Sequence, residues 1–251
     1  MKQQRKPFFY RLIQSTVRKL YIKYTVEERN APVEGGRIYV SNHAQIHGPI
    51  AHQLYFPRPK KIWVIGEMCN RKEAGDYAMK DFWPFKKKSV RWFYYLFSHL
   101  IISWLGPYLF THADTIAVYK DIRLKQTMNQ TVEALDCGED VVIFPEHGTP
   151  HNRYLNEFLL HFVDVARRFH KVTGKPLSFY PVYTCPELKK IIIGKPIQYD
   201  YDQIPDQERL RIIGYLQTEI TRMADELPNH TIIPYANIDK KKRQKSKEDP
   251  L

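Results

Sequence analysis

The stretch Arg37-Ile38-Tyr39-Val40-Ser41-Asn42-His43-Ala44-Gln45-Ile46-His47-Gly48-Pro49 decides how the chain is read. Its first residues are a short apolar run, rich in aromatic and β-branched side chains and preceded by Gly35-Gly36, which reads as a strand. The run gives way to polar residues, and Pro49 is suited to open a helix because its fixed φ and missing N–H fit a first helical turn. A strand that empties into a polar loop and then a helix begins a βαβ unit. The pattern returns at Asp140-Val141-Val142-Ile143-Phe144-Pro145-Glu146-His147-Gly148-Thr149-Pro150. In parallel α/β sheets, ligands gather where strands end and helices begin. His43 and Glu146 therefore stand at two chemically loaded strand ends.

Working outward, further strands are expected at 37–41, 61–65, 115–119, 140–144, 178–184 and 190–193. Helical periodicity fills the gaps. Residues 122–137 place Leu124, Met128, Val132 and Leu135 on one face and end at Gly138, a good helix stop. Residues 154–169 do the same with Phe158, Phe162, Val165 and Phe169, and 210–223 form another helix. Short strands alternating with helices predict an α/β single domain, with a mostly parallel central sheet flanked by helices. The expected organisation is a basic amphipathic segment at 1–34, the α/β domain at 35–238, and a charged, non-periodic, disordered tail at 239–251.

The N-terminal segment carries Phe9, Ile13, Val17, Leu20 and Tyr24 at helical spacing over 8–24, with Arg11, Arg18, Lys19 and Lys23 on other faces. Such a helix either lies in a membrane interface or packs on the domain with a solvated basic face. Aromatic and cationic residues meet again at Trp83–Lys88. The stretch Trp92–Phe110 approaches the ~20 residues that span a bilayer. Because it carries His99, two serines and Gly106-Pro107, it reads as a buried or partly membrane-dipping helix rather than a span.

With 39 basic against 27 acidic residues, the formal charge of +12 favours anionic partners: lipid headgroups, nucleic acid or phosphorylated small molecules. The chain has no groove-reading or RNA-binding motif, so nucleic acid is not expected. Cys69, Cys137 and Cys185 are too far apart for a disulfide framework or a paired zinc site, and a reducing location is expected. The basic N-terminus lacks the apolar core of a signal peptide. The expected place is the cytoplasm, peripheral or monotopic on the inner face of a membrane.

Four stretches, in order, resemble the glycerol-3-phosphate and lysophosphatidic acid acyltransferase family. Asn42-His43 opens a block like the family's N-H-x4-D, and Ile116-Ala117-Val118-Tyr119-Lys120 resembles its arginine block. Phe144-Pro145-Glu146 begins a block like F-P-E-G-T-R. Tyr180-Pro181-Val182, with Gly194-Lys195-Pro196-Ile197, resembles its late proline block. The resemblance spans roughly residues 35 to 200.

It implies acyl transfer from an acyl-CoA or acyl-carrier-protein thioester, with no other cofactor, to a hydroxyl of a phosphorylated glycerol or lysolipid on anionic membrane lipid. It implies His43 as general base and Glu146 as the catalytic-site glutamate that positions the acceptor hydroxyl. Lys120 and Arg123 would hold phosphate, with His47, Gly48, His147, Gly148 and Thr149 around the acceptor. Arg153 lies near the same strand ends. Three departures stand out: Gly48 occupies the motif aspartate's position, Lys120 replaces an arginine, and the third block reads Glu146-His147-Gly148-Thr149, with either one residue inserted or His147 at the glycine position.

Two other readings carry their own features. His43/His47 and His147/His151 share a zinc-pair spacing, which suggests a metal-dependent hydrolase. Against it, no glutamate follows the first histidine and both pairs fall in Gly/Pro-containing loops, so no metal is assigned. The glycine at 48 suggests a lipid-binding pseudoenzyme.

Overall fold

The computed structural model describes residues 6–83, 87–119 and 121–235. In chain order come α1 (Phe8–Leu20), β1 (Thr25–Glu28), β2 (Gly36–Ser41), α2 (His47–Tyr55), β3 (Lys60–Ile65), α3 (Ala74–Asp81), α4 (Lys88–Phe97) and α5 (Ser103–His112). Then follow β4 (Thr115–Val118), α6 (Leu124–Asp136), β5 (Asp140–Ile143), β6 (Glu146–Pro150), β7 (Asn156–Phe158) and α7 (Val165–Thr173). The last elements are β8 (Leu177–Cys185), β9 (Lys190–Ile193), β10 (Ile197–Gln198) and α8 (Pro205–Asp225).

The main sheet runs β1-β9-β8-β2-β5-β3-β4, with β10 also on β8. Pairing is parallel except where β9 and β10 meet β8. The expected mixed α/β domain with a mostly parallel sheet is the observed one. β5 and β8 are buried at every position, as parallel strands covered on both faces must be. Alternation divides the core: Ile38 and Val40 pack with residues of α6, α7 and α8, whereas Tyr39 packs with Tyr24, Ala51 and Phe56.

At the end of the sheet where β5 begins, Asp140 is 1% exposed. Its carboxylate accepts from Arg37 Nε at 2.6 Å and Arg58 Nε at 2.8 Å. Arg58 also reaches Glu28 and the Tyr39 hydroxyl, so one buried charge binds β1, β2, β5 and the loop before β3.

Several elements depart from the sequence reading. The helix expected at 8–24 stops at Leu20, and Thr25–Glu28, within the stretch set apart as 1–34, is an edge strand of the sheet. Its adjacent glutamates and partly exposed positions concealed a strand whose partner is far away in sequence. The helix expected at 154–169 is strand β7, a 3₁₀ turn at His161–Asp164, and α7. Phe158, Phe162, Val165 and Phe169 are all buried. Their spacing reported burial correctly but not the conformation that achieves it. Within 92–110, a π-helical turn at Ser98–Ile102 separates α4 from α5. The tail at 239–251 and part of the Trp83–Lys88 run lie outside the described residues.

Removing one partner of a buried ion pair strands the others and typically costs 3–5 kcal/mol. Asp140→Ala should therefore lower stability by about 3 kcal/mol in urea unfolding. An unchanged midpoint would mean that the two arginines lose nothing with the carboxylate.

Candidate active site

β2 and β5 lie side by side, so the loops that leave their C-terminal ends meet over one edge of the sheet. The first loop is anchored before His43. Asn42 Nδ2 donates to the Thr184 carbonyl at 3.0 Å, and Thr184 N–H donates to Asn42 Oδ1 at 2.7 Å. This two-way bond locks the end of β2 to β8. Ala44 and Gln45 then turn the chain at φ 46° and 54°. Two successive non-glycine residues in this region are unusual and cost of order 1 kcal/mol each.

The tight turn explains the glycine that follows. Gly48 N–H donates to the His43 carbonyl at 3.1 Å. A Cβ on Gly48 would lie 2.3 Å from that oxygen, so the backbone itself fills the place of a side chain. A carboxylate at position 48 is incompatible with this turn.

Glu146 opens the second loop and is 5% exposed. Its Oε2 accepts from His43 N–H at 2.5 Å and its Oε1 from Asn156 N–H at 2.9 Å. Burial pushes its pKa up to about 7, against the lowering effect of the Asn156 and His43 amides. The carboxyl thus braces the His43 backbone from β6 and β7.

The His43 ring meets Phe144 at 5.4 Å and Tyr235 at 5.5 Å between centroids, both edge-to-face. Its Nδ1 is buried without a hydrogen bond of good geometry. Burial lowers its pKa, with a hydrogen bond to the Gln45 backbone acting in the opposite sense. The result is an imidazole held neutral at pH 7. Beneath it, His52 is fully buried, bonds Thr184 Oγ1 at 3.0 Å, and is pushed down to about 3, chiefly by burial.

Of the other expected residues, His47 and His147 to Thr149 lie on the segments that leave β2 and β5, whereas Arg123 and Arg153 are engaged elsewhere. His47 begins α2, and its Nδ1 bonds the Tyr21 hydroxyl at 2.8 Å, tying the end of α1 to the site loop. His147 accepts from Asn156 Nδ2 through its carbonyl at 2.6 Å. Gly148 and Thr149 are exposed on β6. Arg123 follows β4, but its guanidinium forks onto Asp121 at 3.0 and 2.7 Å and stacks 3.8 Å over Tyr119. Arg153 pairs with Asp225 at 2.5 Å. Lys120 lies outside the described residues.

His151 bonds Glu157 at 2.9 Å, and among the described residues no three His, Cys, Asp or Glu side chains cluster as metal ligands. Sequence reasoning missed Thr184, Asn156 and Tyr235, each of which contributes through a backbone or ring contact that no motif encodes.

No family model matches the chain, and no curated protein matches it. Among solved structures it is similar to the 1-acyl-sn-glycerophosphate (LPA) acyltransferase PlsC from Thermotoga maritima. That likeness has a TM-score of 0.47 at 13% identity, covering 88% of this chain and 83% of the other.

The Glu146 shift has a pH signature. Between 4.5 and about 7 the unfolded chain has an ionised carboxylate while the folded one keeps its proton. The native state then binds more protons, so this group's contribution falls as pH rises through that window. His43 and His52, both lowered, act oppositely and favour folding as pH rises toward 6.5. Comparison with Glu146→Gln cancels the histidines. The stability of wild type minus variant should fall from pH 4.5 to 7 in urea unfolding, and a flat difference contradicts the buried proton.

Proposed function

We propose that the protein is an O-acyltransferase. It moves a fatty acyl chain from an acyl thioester, on coenzyme A or acyl carrier protein, to a hydroxyl of a glycerol-phosphate or lysophospholipid acceptor. The observation that carries this reading is the neutral His43 imidazole at the end of a central parallel strand, its backbone braced by Glu146. A buried ring that stays unprotonated near pH 7 is available as a general base.

In the proposed step the acceptor hydroxyl gives its proton to His43 as its oxygen attacks the thioester carbonyl. The C–S bond of the tetrahedral species then breaks, and the thiolate leaves with the proton returned by the imidazolium. No bond to the enzyme is required. Arg123 lies half-buried beyond β4, where an acceptor phosphate would compete with Asp121 for its guanidinium. His147, Gly148 and Thr149, on the strand that Glu146 opens, would lie around the acceptor. The missing carboxylate at Gly48 supports one other reading, a lipid-binding pseudoenzyme, in which purified wild type transfers nothing from any thioester while still binding vesicles.

His43→Ala should lower transfer by roughly 10²- to 10⁴-fold, the usual worth of general-base assistance, with folding unchanged. His47→Ala should cost far less, since its ring is engaged with Tyr21. Thioester loss and ester formation are followed together. Wild-type transfer by His43→Ala would end the general-base reading.

We also propose peripheral association with the cytoplasmic face of a membrane. No helix among the described residues is long and apolar enough to cross one. Yet Phe8, Leu12 and Leu20 on α1, Trp92 on α4, Leu100 in the π turn and Trp104 on α5 are exposed. Phe9 meets Tyr108 at 5.7 Å and Trp104 stacks on Tyr108 at 6.0 Å, joining α1 and α5 into one apolar surface. Arg11, Lys19 and Lys23 are exposed around α1. Near anionic lipid each cation adds about 1 kcal/mol, weakened by salt. Binding to phosphatidylserine vesicles should fall with added salt and drop sharply in Leu100→Asp/Trp104→Asp. Equal binding by that variant would refute this surface.

A further inference from the structure

After α8 the chain returns across the sheet as a strap, residues 228–235. It is fastened at three places before it reaches His43. The His230 ring bonds the Tyr183 hydroxyl at 2.7 Å and stacks on Tyr154 at 6.1 Å. Thr231 N–H donates to the Glu187 carboxylate. The strap then sets Tyr235 against the imidazole, ring planes at 84°, while Phe144 meets the same ring at 64°.

A histidine base needs one tautomer and one orientation, and these are ordinarily set by a hydrogen bond to its second nitrogen. No carboxylate supplies that bond here: position 48 has no room for one, and what bonds the ring is the Gln45 backbone, while Nδ1 has no partner of good geometry. Glu146 holds the His43 backbone rather than its ring. Besides the Gln45 backbone, a pair of aromatic side chains touches the ring, at the centroid distances and tilts that aromatic quadrupoles favour.

We propose that Tyr235 is a positioning residue of this site, which with Phe144 forms an aromatic clamp that fixes the His43 ring by packing in place of a carboxylate hydrogen bond. The proposal rests on the reading of His43 as the base. It puts the C-terminal strap, outside all four motif-like stretches, into the site. The charged and titratable groups around the clamp are Glu146 at the His43 backbone, Asp81 and Tyr77 of α3, and His52 against Phe144; Glu146 and Asp81 act on the Tyr235 hydroxyl. Together with burial, which is the larger effect, they hold that hydroxyl in its protonated form. Its ring is therefore the working part.

The test uses the full chain with Tyr235→Phe and Tyr235→Ala, reading the His43 ring nitrogens by NMR across a pH titration alongside acyl transfer. Tyr235→Phe should keep the wild-type tautomer, titration midpoint and rate. Tyr235→Ala should mix the tautomers, move the midpoint up toward 6.5 as burial is relieved, and lower kcat by roughly 10- to 100-fold. The KM values for both substrates should change little. A His43 ring that titrates in Tyr235→Ala as in wild type overturns the clamp, and so does a Tyr235→Phe variant as impaired as Tyr235→Ala. His43→Ala separates the two claims. If it still transfers while Tyr235→Ala disturbs the ring, the base reading fails and the clamp on the ring stands.

Discussion

A single buried carboxyl group joins the two strand ends over which the site is assembled. Glu146 takes the His43 amide on one oxygen and the Asn156 amide on the other, and so couples the exit of β2 to the β6–β7 pair. Two backbone donors compensate part of the cost of burying the group; without them, each buried amide left unpaired would cost about 1–3 kcal/mol. The Asn42–Thr184 bonds add β8 to the same junction. Three strand ends are thereby held together before any side chain faces a substrate.

This arrangement fixes the His43 backbone more firmly than its ring. The left-handed turn at Ala44-Gln45 brings Gly48 onto the His43 carbonyl and closes the space in which a side chain at 48 could approach the imidazole. The ring is packed instead between Phe144 and Tyr235, and the same burial that lowers its proton affinity leaves Nδ1 without a well-formed hydrogen bond. A neutral base and a poorly solvated ring nitrogen are thus two results of one cause. The opposite end of the sheet uses charge differently. There Asp140 is fully paired by two arginines and has a structural role.

The parts legible in the sequence were those governed by local pattern. Parallel strands covered on both faces are continuous apolar runs, so β2, β3, β5, β8 and β9 stood out. His43 and Glu146 could be placed at strand ends, but their convergence depends on β2 lying beside β5, an adjacency that no local period encodes. β1 was missed because an edge strand with half-exposed, charged positions looks like loop. The 154–169 segment was misjudged because spacings of three and four fit a buried strand–turn–helix as well as one helix. Glu146 drew attention as a motif residue that would face the acceptor, whereas its two oxygens are engaged with backbone amides. Tyr235 had no signature, since its contact with His43 joins residues from opposite ends of the chain.

The central claim is that this junction supports direct acyl transfer from a thioester to a hydroxyl, with His43 carrying the proton. The most direct measurement is the product balance of wild-type protein on phosphatidylserine-containing vesicles, supplied with long-chain acyl-CoA or acyl carrier protein and lysophosphatidic acid. Free thiol, new ester and free fatty acid are quantified together, and the intact mass of the quenched protein is recorded. The account predicts one ester formed for each thiol released and no acylated protein. Thiol released as free fatty acid alone, acyl groups left on the protein, or no thiol released from either donor would contradict it.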